Sequence, residues 1–151
     1  MLTSQEQYRY LLVHNSHIYQ SKEFALNSNY DLIYFVEDDY LHHHDAIEEM
    51  IFSYEKFSTI YKKDIIMCPA DYPFLYNKFE PTIILAGHKK HWRRVNESLC
   101  TYLISHNILK KNWKTYEKMF LNNFDPYEKP LHLLYKKTQC FSPIPSLSLH
   151  M

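Results

Sequence analysis

The chain has 151 residues, enough for one domain with a substantial core. Its seventeen basic residues balance seventeen acidic ones, so there is no net field of the kind that draws a protein to nucleic acid or to an acidic membrane surface, and partner choice is expected to rest on local sites. The single glycine, Gly87, excludes Gly-rich phosphate loops, and three widely spaced cysteines, Cys68, Cys100 and Cys140, suggest neither a disulfide framework nor a CxxC zinc site.

Met1 to Tyr10 is polar and lacks the apolar core of a signal peptide, and no run approaches the roughly 18 apolar residues of a membrane span. With reduced cysteines, this gives the expectation of a cytoplasmic protein without a membrane span and, from the charge balance, without a nucleic-acid partner. Aromatic residues make up 17% of the chain, 14 of them Tyr. That suits clefts that stack on sugars and bases, although codon usage in an AT-rich genome accounts for it equally well.

Tyr8–Val13 reads as a short strand, and Ser16 or Ser21 as the cap of a helix running to Leu26. Asn27-Ser28-Asn29 is the turn that follows. Next comes the segment on which the chain is organised, Ile33-Tyr34-Phe35-Val36 running straight into Glu37-Asp38-Asp39. The apolar run predicts a buried strand delivering three carboxylates to a sheet edge. If the backbone stays extended, Glu37 and Asp39 share one face and Asp38 takes the other. Three adjacent acids repel one another unless a cation or several N–H donors compensate them, which a hard divalent metal would do. Proximity to the N-terminus of the following helix explains the acids equally well. His42-His43-His44 invites a zinc interpretation, yet adjacent histidines cannot readily all face one ion; His42 stands nearest the acids.

From Asp45, the apolar positions Ile47, Met50, Ile51, Tyr54 and Phe57 predict an amphipathic helix ending near Lys62-Lys63. Asp64–Cys68 is a second short strand stopped by Pro69, Ala70–Pro73 a turn, and Thr82–Ala86 a third strand, after which Gly87 allows a tight bend. The basic segment His88–Arg94 is expected to be an anion-binding loop or a solvated basic face. Leu99–Ile104 forms another element, and Trp113–Leu121 and Glu128–Tyr135 two short helices separated by Asp125-Pro126. Pro143 and Pro145 make residues 141–151 an irregular tail. Alternating strands and helices point to a layered α/β sheet in a single domain over residues 1–151.

Phe35-Val36-Glu37-Asp38-Asp39-Tyr40-Leu41, with a buried strand before it and an amphipathic helix after it, resembles the metal-binding DXD segment of GT-A-fold, nucleotide-sugar-dependent glycosyltransferases of the bacterial polysaccharide type. His91-Trp92-Arg93-Arg94-Val95-Asn96, followed by residues 98–104, is similar to their acceptor-facing stretch. Phe141-Ser142-Pro143-Ile144-Pro145-Ser146-Leu147 with His150 looks like their C-terminal segment, in which a histidine returns to the metal. The similarity runs from about Ser21 to the end, so residues 1–20 are poorly matched. It implies a GT-A-like (Rossmann-like) mixed sheet flanked by helices and incomplete at the N-terminus, since only 36 residues precede Glu37. It further implies Mn²⁺ or Mg²⁺ on Asp39, Glu37 and His150, and transfer of a sugar from a nucleotide-diphosphate sugar donor to a glycan or other hydroxyl acceptor. Glu37, Asp38, Lys90, His91, Trp92, Arg93 and Arg94 would bind substrate, and Glu97 or Asp71 would be the general base. A non-catalytic glycosyltransferase-like fragment and a metal-dependent phosphoesterase are the competing expectations.

Overall fold

The computed structural model describes residues 19–121 and 126–151. The expected strand at Tyr8–Val13 and the Ser16 cap lie outside the described residues.

The elements follow the alternation of the sequence. Helix α1 (residues 19–26) is followed by β1 (Leu32–Phe35) and β2 (Tyr40–His42), then α2 (Ala46–Tyr61), β3 (Ile66–Met67) and a 3₁₀ turn at Pro73–Tyr76. Strands β4 (Ile84–Ala86), β5 (His91–Val95) and β6 (Tyr102–Ser105) lead into helices α3 (His106–Lys111), α4 (Trp113–Leu121) and α5 (Lys129–Thr138), and the chain closes with β7 (Cys140–Ile144) and β8 (Ser148–His150). Six strands form one mixed sheet in the order β1-β6-β3-β7-β5-β4, and β2 and β8 form a separate antiparallel pair. Only β3 and β7 run parallel; the other pairs of the large sheet are antiparallel.

Strand alternation sorts side chains onto the two faces of this sheet. Ile66, Tyr102, Ile104, Val95 and Cys140 point into a cluster closed by Ala25 of α1, Ile108 and Leu109 of α3, Tyr116 and Met119 of α4, and Leu131, Leu134 and Tyr135 of α5. Their neighbours Met67, Leu103, Trp92 and Phe141 point the other way, against Ala46, Met50, Tyr54 and Phe57 of α2. The α2 positions recur at helical spacing, as the sequence predicts. Helix α2 stops where Lys62 adopts a left-handed backbone with φ of 53°. Strand β6 runs directly into α3, with the Ser105 side chain accepting from Ile108 N at 3.1 Å as the N-cap.

Two expectations change. Residues 141–151 are not irregular: β7 is an interior strand and β8 pairs with β2. Pro143 is tolerated because β3 pairs only with Cys140 and Phe141, so by Pro143 that side of β7 has no partner strand needing an N–H. The basic segment is also no open loop. Its second half is β5, and its first half wraps over the Glu49 carboxylate of α2, which is 1% exposed. Glu49 accepts from Lys89 N, from Lys90 N at 3.3 Å, from Trp92 Nε1 at 3.0 Å and from Ser53 Oγ at 2.9 Å. Burial alone would push its carboxyl pKa up, but these donors outweigh it and hold the group below the usual range. The tight bend expected at Gly87 is present, closed by Gly87 N donating to Lys90 O at 2.7 Å between β4 and β5, without a positive φ. The glycine is needed for space: a Cβ there would sit 2.5 Å from the Trp92 ring and clash with Ser53. Gly87→Ala is therefore expected to lower stability by about 1–3 kcal/mol in a denaturant titration, through overpacking against Trp92.

Candidate functional site

Strand β1 ends at Phe35, so the acids stand just beyond it, in an extended step and a turn rather than in the strand. Strict alternation therefore does not govern them. Glu37 turns inward: its N–H donates to Thr101 Oγ1 at 3.0 Å, and the Thr101 hydroxyl donates back to its carboxylate at 3.3 Å. Burial pushes the Glu37 carboxyl pKa up and the nearby Asp39 charge pushes it further, with Thr101 and His150 opposing. Asp38 is exposed and lines a cleft of about 890 Å³ together with Glu37, all four residues of β1, and Lys22 and Phe24 of α1.

Asp39 meets the C-terminal tail. Because β8 pairs with β2 in the register Tyr40↔His150, Leu41↔Leu149 and His42↔Ser148, the His150 imidazole arrives beside the turn. Its Nε2 lies 3.2 Å from Asp39 Oδ2, and its ring packs on Tyr40 at a centroid distance of 5.0 Å. Tyr40 is itself buried, its hydroxyl hydrogen-bonded to that of Tyr72. Asp39 Oδ1 is shielded from solvent and has no hydrogen-bond partner among the described residues. The Oδ2–Nε2 spacing of 3.2 Å is that of two adjacent ligands of an octahedral ion at about 2.1–2.3 Å, and Oδ1 is a further oxygen without a partner. Asp39 and His150 are the residues at this turn that could hold such an ion. Glu37 feels their charge, but its carboxylate is committed to Thr101 rather than to the pair.

The remaining candidates fall into separate groups. Asp71 is tied to the tail as well, its N–H donating to Ser146 Oγ at 2.9 Å in the β7–β8 connection. Its two oxygens are occupied, one by the Arg93 guanidinium and the other by the Tyr76 hydroxyl, while Arg93 stacks on the Tyr76 ring at 4.0 Å. Glu97 instead pairs with Lys78 at 2.6 Å, whose ammonium holds its pKa below the usual carboxylate range. A carboxylate so held is a weak base. Trp92 is fully buried against Phe57 and leaves no surface for a ligand. Lys90 contributes its backbone to Glu49, His91 is exposed, and Arg93 and Arg94 both line a small cleft of about 130 Å³ with Lys78 and Glu97. The basic cluster is thus divided: Arg93 and Arg94 share this cleft, whereas Lys89 and Lys90 are drawn to the acids of α2.

His43, His44 and Asp45 bring their donor atoms within 4.8 Å of one another, and His43 Nδ1 is hydrogen-bonded to the Asp45 carboxylate. Both histidines are exposed, and the cluster sits where α2 begins. His42 is drawn away from it by a hydrogen bond to the Tyr34 hydroxyl.

Sequence reasoning passed over Lys22. This lysine is 3% exposed, with its ammonium 4.5 Å from the Phe35 ring centroid and within 5.8 Å of those of Tyr102 and Tyr116. Burial pushes its pKa down, with Cys100 and Glu37 opposing. Its position in the same helical face as Ala25 was the signal available. Tyr40 and Thr101 were also missed; nothing in the sequence near either residue announces its partner.

The raised Glu37 pKa has a stability consequence. The native state holds this proton more tightly than the unfolded chain, so the contribution of Glu37 is most favourable below the ordinary carboxylate value and is lost as pH rises through the folded pKa. Glu37→Gln is expected to raise the melting temperature at neutral pH, with the gain disappearing in acid; thermal melts across that range check it. No family model matches this chain, and neither the curated proteins nor the solved structures contain a match.

Proposed function

We propose that the chain is a metal-dependent glycosyltransferase of GT-A type, moving a sugar from a nucleotide-diphosphate donor to an acceptor hydroxyl. The observation that carries this reading is the meeting of Asp39, from the acidic turn, with His150, from the last strand, beside Glu37 and Asp38, which line the 890 Å³ cleft. A cleft of that volume is within the usual range for nucleotide-sized ligands. Asp39 and His150 would hold Mn²⁺ or Mg²⁺, with Glu37 close enough to add its charge. When bound, such an ion supplies Lewis-acid neutralisation of the leaving diphosphate.

The chain's own groups do the rest. Tyr40 packs on the His150 ring and orients it, while Thr101 engages the Glu37 carboxylate, which acts on the pair through its charge alone. Asp38 faces the cleft, and Lys22 offers a buried cation at its base. Both candidate bases are ion-paired, Glu97 with Lys78 and Asp71 with Arg93; Asp71 is preferred because its backbone is anchored to the connection that carries His150. The Tyr76 hydroxyl, on a residue 60% exposed, occupies the carboxylate oxygen that an acceptor hydroxyl would take. Displacing Tyr76 lets Asp71 accept the acceptor proton, while Arg93 keeps Asp71 oriented.

A fragment that binds donor without transferring it is the second reading, favoured by the full occupation of Asp71. A panel of nucleotide-diphosphate sugars incubated with Mn²⁺ tests both, with free nucleoside diphosphate as the readout. The transferase reading expects release that EDTA abolishes, that Asp39→Asn lowers about 10–100-fold, and that Asp71→Asn lowers without weakening donor binding. Donor binding with no release in any reaction would favour the fragment; release insensitive to EDTA would contradict the metal mechanism.

A further inference from the structure

The charge balance of the whole chain conceals a segregation. Residues 106–138, which contain α3, α4 and α5, carry seven lysines and no arginine against three acids, a net of +4, so the rest of the chain carries −4. Helical spacing arranges these cations further. On α5, Lys129, Leu133 and Lys137 recur every four residues as one stripe, with Lys136 beside it; on α4, Lys114, Lys118 and Leu121 form a second stripe. All of these side chains are exposed, Leu121 at 81% and Leu133 at 68%. The opposite faces of the two helices are committed to the core through Tyr116, Met119, Leu131, Leu134 and Tyr135. Between the stripes runs a groove of about 330 Å³, with Lys118, Lys129 and Lys137 around a floor of Pro130, Leu133 and Leu134.

We propose that this face of α4 and α5 docks the protein on an anionic phospholipid surface. Charge complementarity names the occupant: clustered lysines meet headgroup phosphates, and the two exposed leucines enter the boundary between headgroups and acyl chains. Lysine stems lie along apolar surface while their ammonium groups reach outward, so cations and leucines can serve one interface together. The composition fits lipid better than nucleic acid. Nucleic-acid surfaces combine cations with exposed aromatic rings and arginines on which bases stack. Here every cation is a lysine and the protruding apolar groups are leucines. The argument is independent of the transferase reading.

Co-sedimentation of the full chain with vesicles of phosphatidylcholine alone, or of phosphatidylcholine mixed with phosphatidylglycerol, tests the proposal. Binding is expected only to the mixed vesicles and should weaken at high salt. The double variant Lys129→Ala/Lys137→Ala should lower the partition coefficient about thirtyfold, each lysine being worth roughly fivefold at such a surface. Leu133→Ser should lower it while leaving the salt dependence unchanged. These positions are exposed, and circular dichroism melts confirm that each variant is folded. Equal binding to both vesicle types, no binding to the mixed vesicles, undiminished binding by the double variant, or a preference for single-stranded RNA over the mixed vesicles would each overturn it.

Discussion

The fold depends on where its last long strand lies. Strand β7 follows almost everything else in sequence but lies inside the sheet, parallel to β3 on one side and antiparallel to β5 on the other. Without it, the β1-β6-β3 half and the β5-β4 half of the sheet share no strand pairing. Its residues bind the layers as well: Cys140 enters the cluster under α3, α4 and α5, and Phe141 the one under α2. Both are fully buried, so the strand belongs to two cores at once.

The candidate site inherits that constraint. After β7 the chain is held by Leu147 N donating to Pro69 O at 2.8 Å, and only then does β8 pair with β2. His150 reaches Asp39 because its position is fixed at both ends of this connection. The acids themselves divide the work by local environment. Glu37, turned toward Thr101, is a half-buried carboxyl whose pKa burial raises, whereas Asp39 turns one oxygen to the His150 imidazole and leaves the other without a hydrogen-bond partner among the described residues. Two carboxylates two positions apart thus acquire different chemistry from their surroundings.

Legibility in the sequence followed the range of the interactions. The apolar run ending in acids, the helical spacing of Met50, Tyr54 and Phe57, and the helices at Trp113–Leu121 and Lys129–Thr138 are local patterns, and the sequence reading found all of them. The return of His150 toward the acids was an expectation drawn from the resemblance alone, and the strands that bring it beside Asp39 were hidden by Pro143 and Pro145, which argue against regular structure until the pairing partners are known. The basic segment was misread because its partner, Glu49, lies some forty residues upstream on another element, and a buried acid on a helix looks like any other helical glutamate. Overall neutrality misled in the same way: a sum of charges carries no information about their segregation onto α4 and α5.

The account stands on the pairing of Asp39 with His150 as a divalent-ion site, and calorimetric titration of Mn²⁺ into the full chain examines that pairing without assuming any substrate. The account predicts binding that weakens about 10–100-fold in Asp39→Ala and in His150→Ala and is unchanged in Asp45→Ala, which disrupts the exposed cluster at the start of α2. Absence of Mn²⁺ binding, or binding lost in Asp45→Ala and preserved in Asp39→Ala, would contradict it.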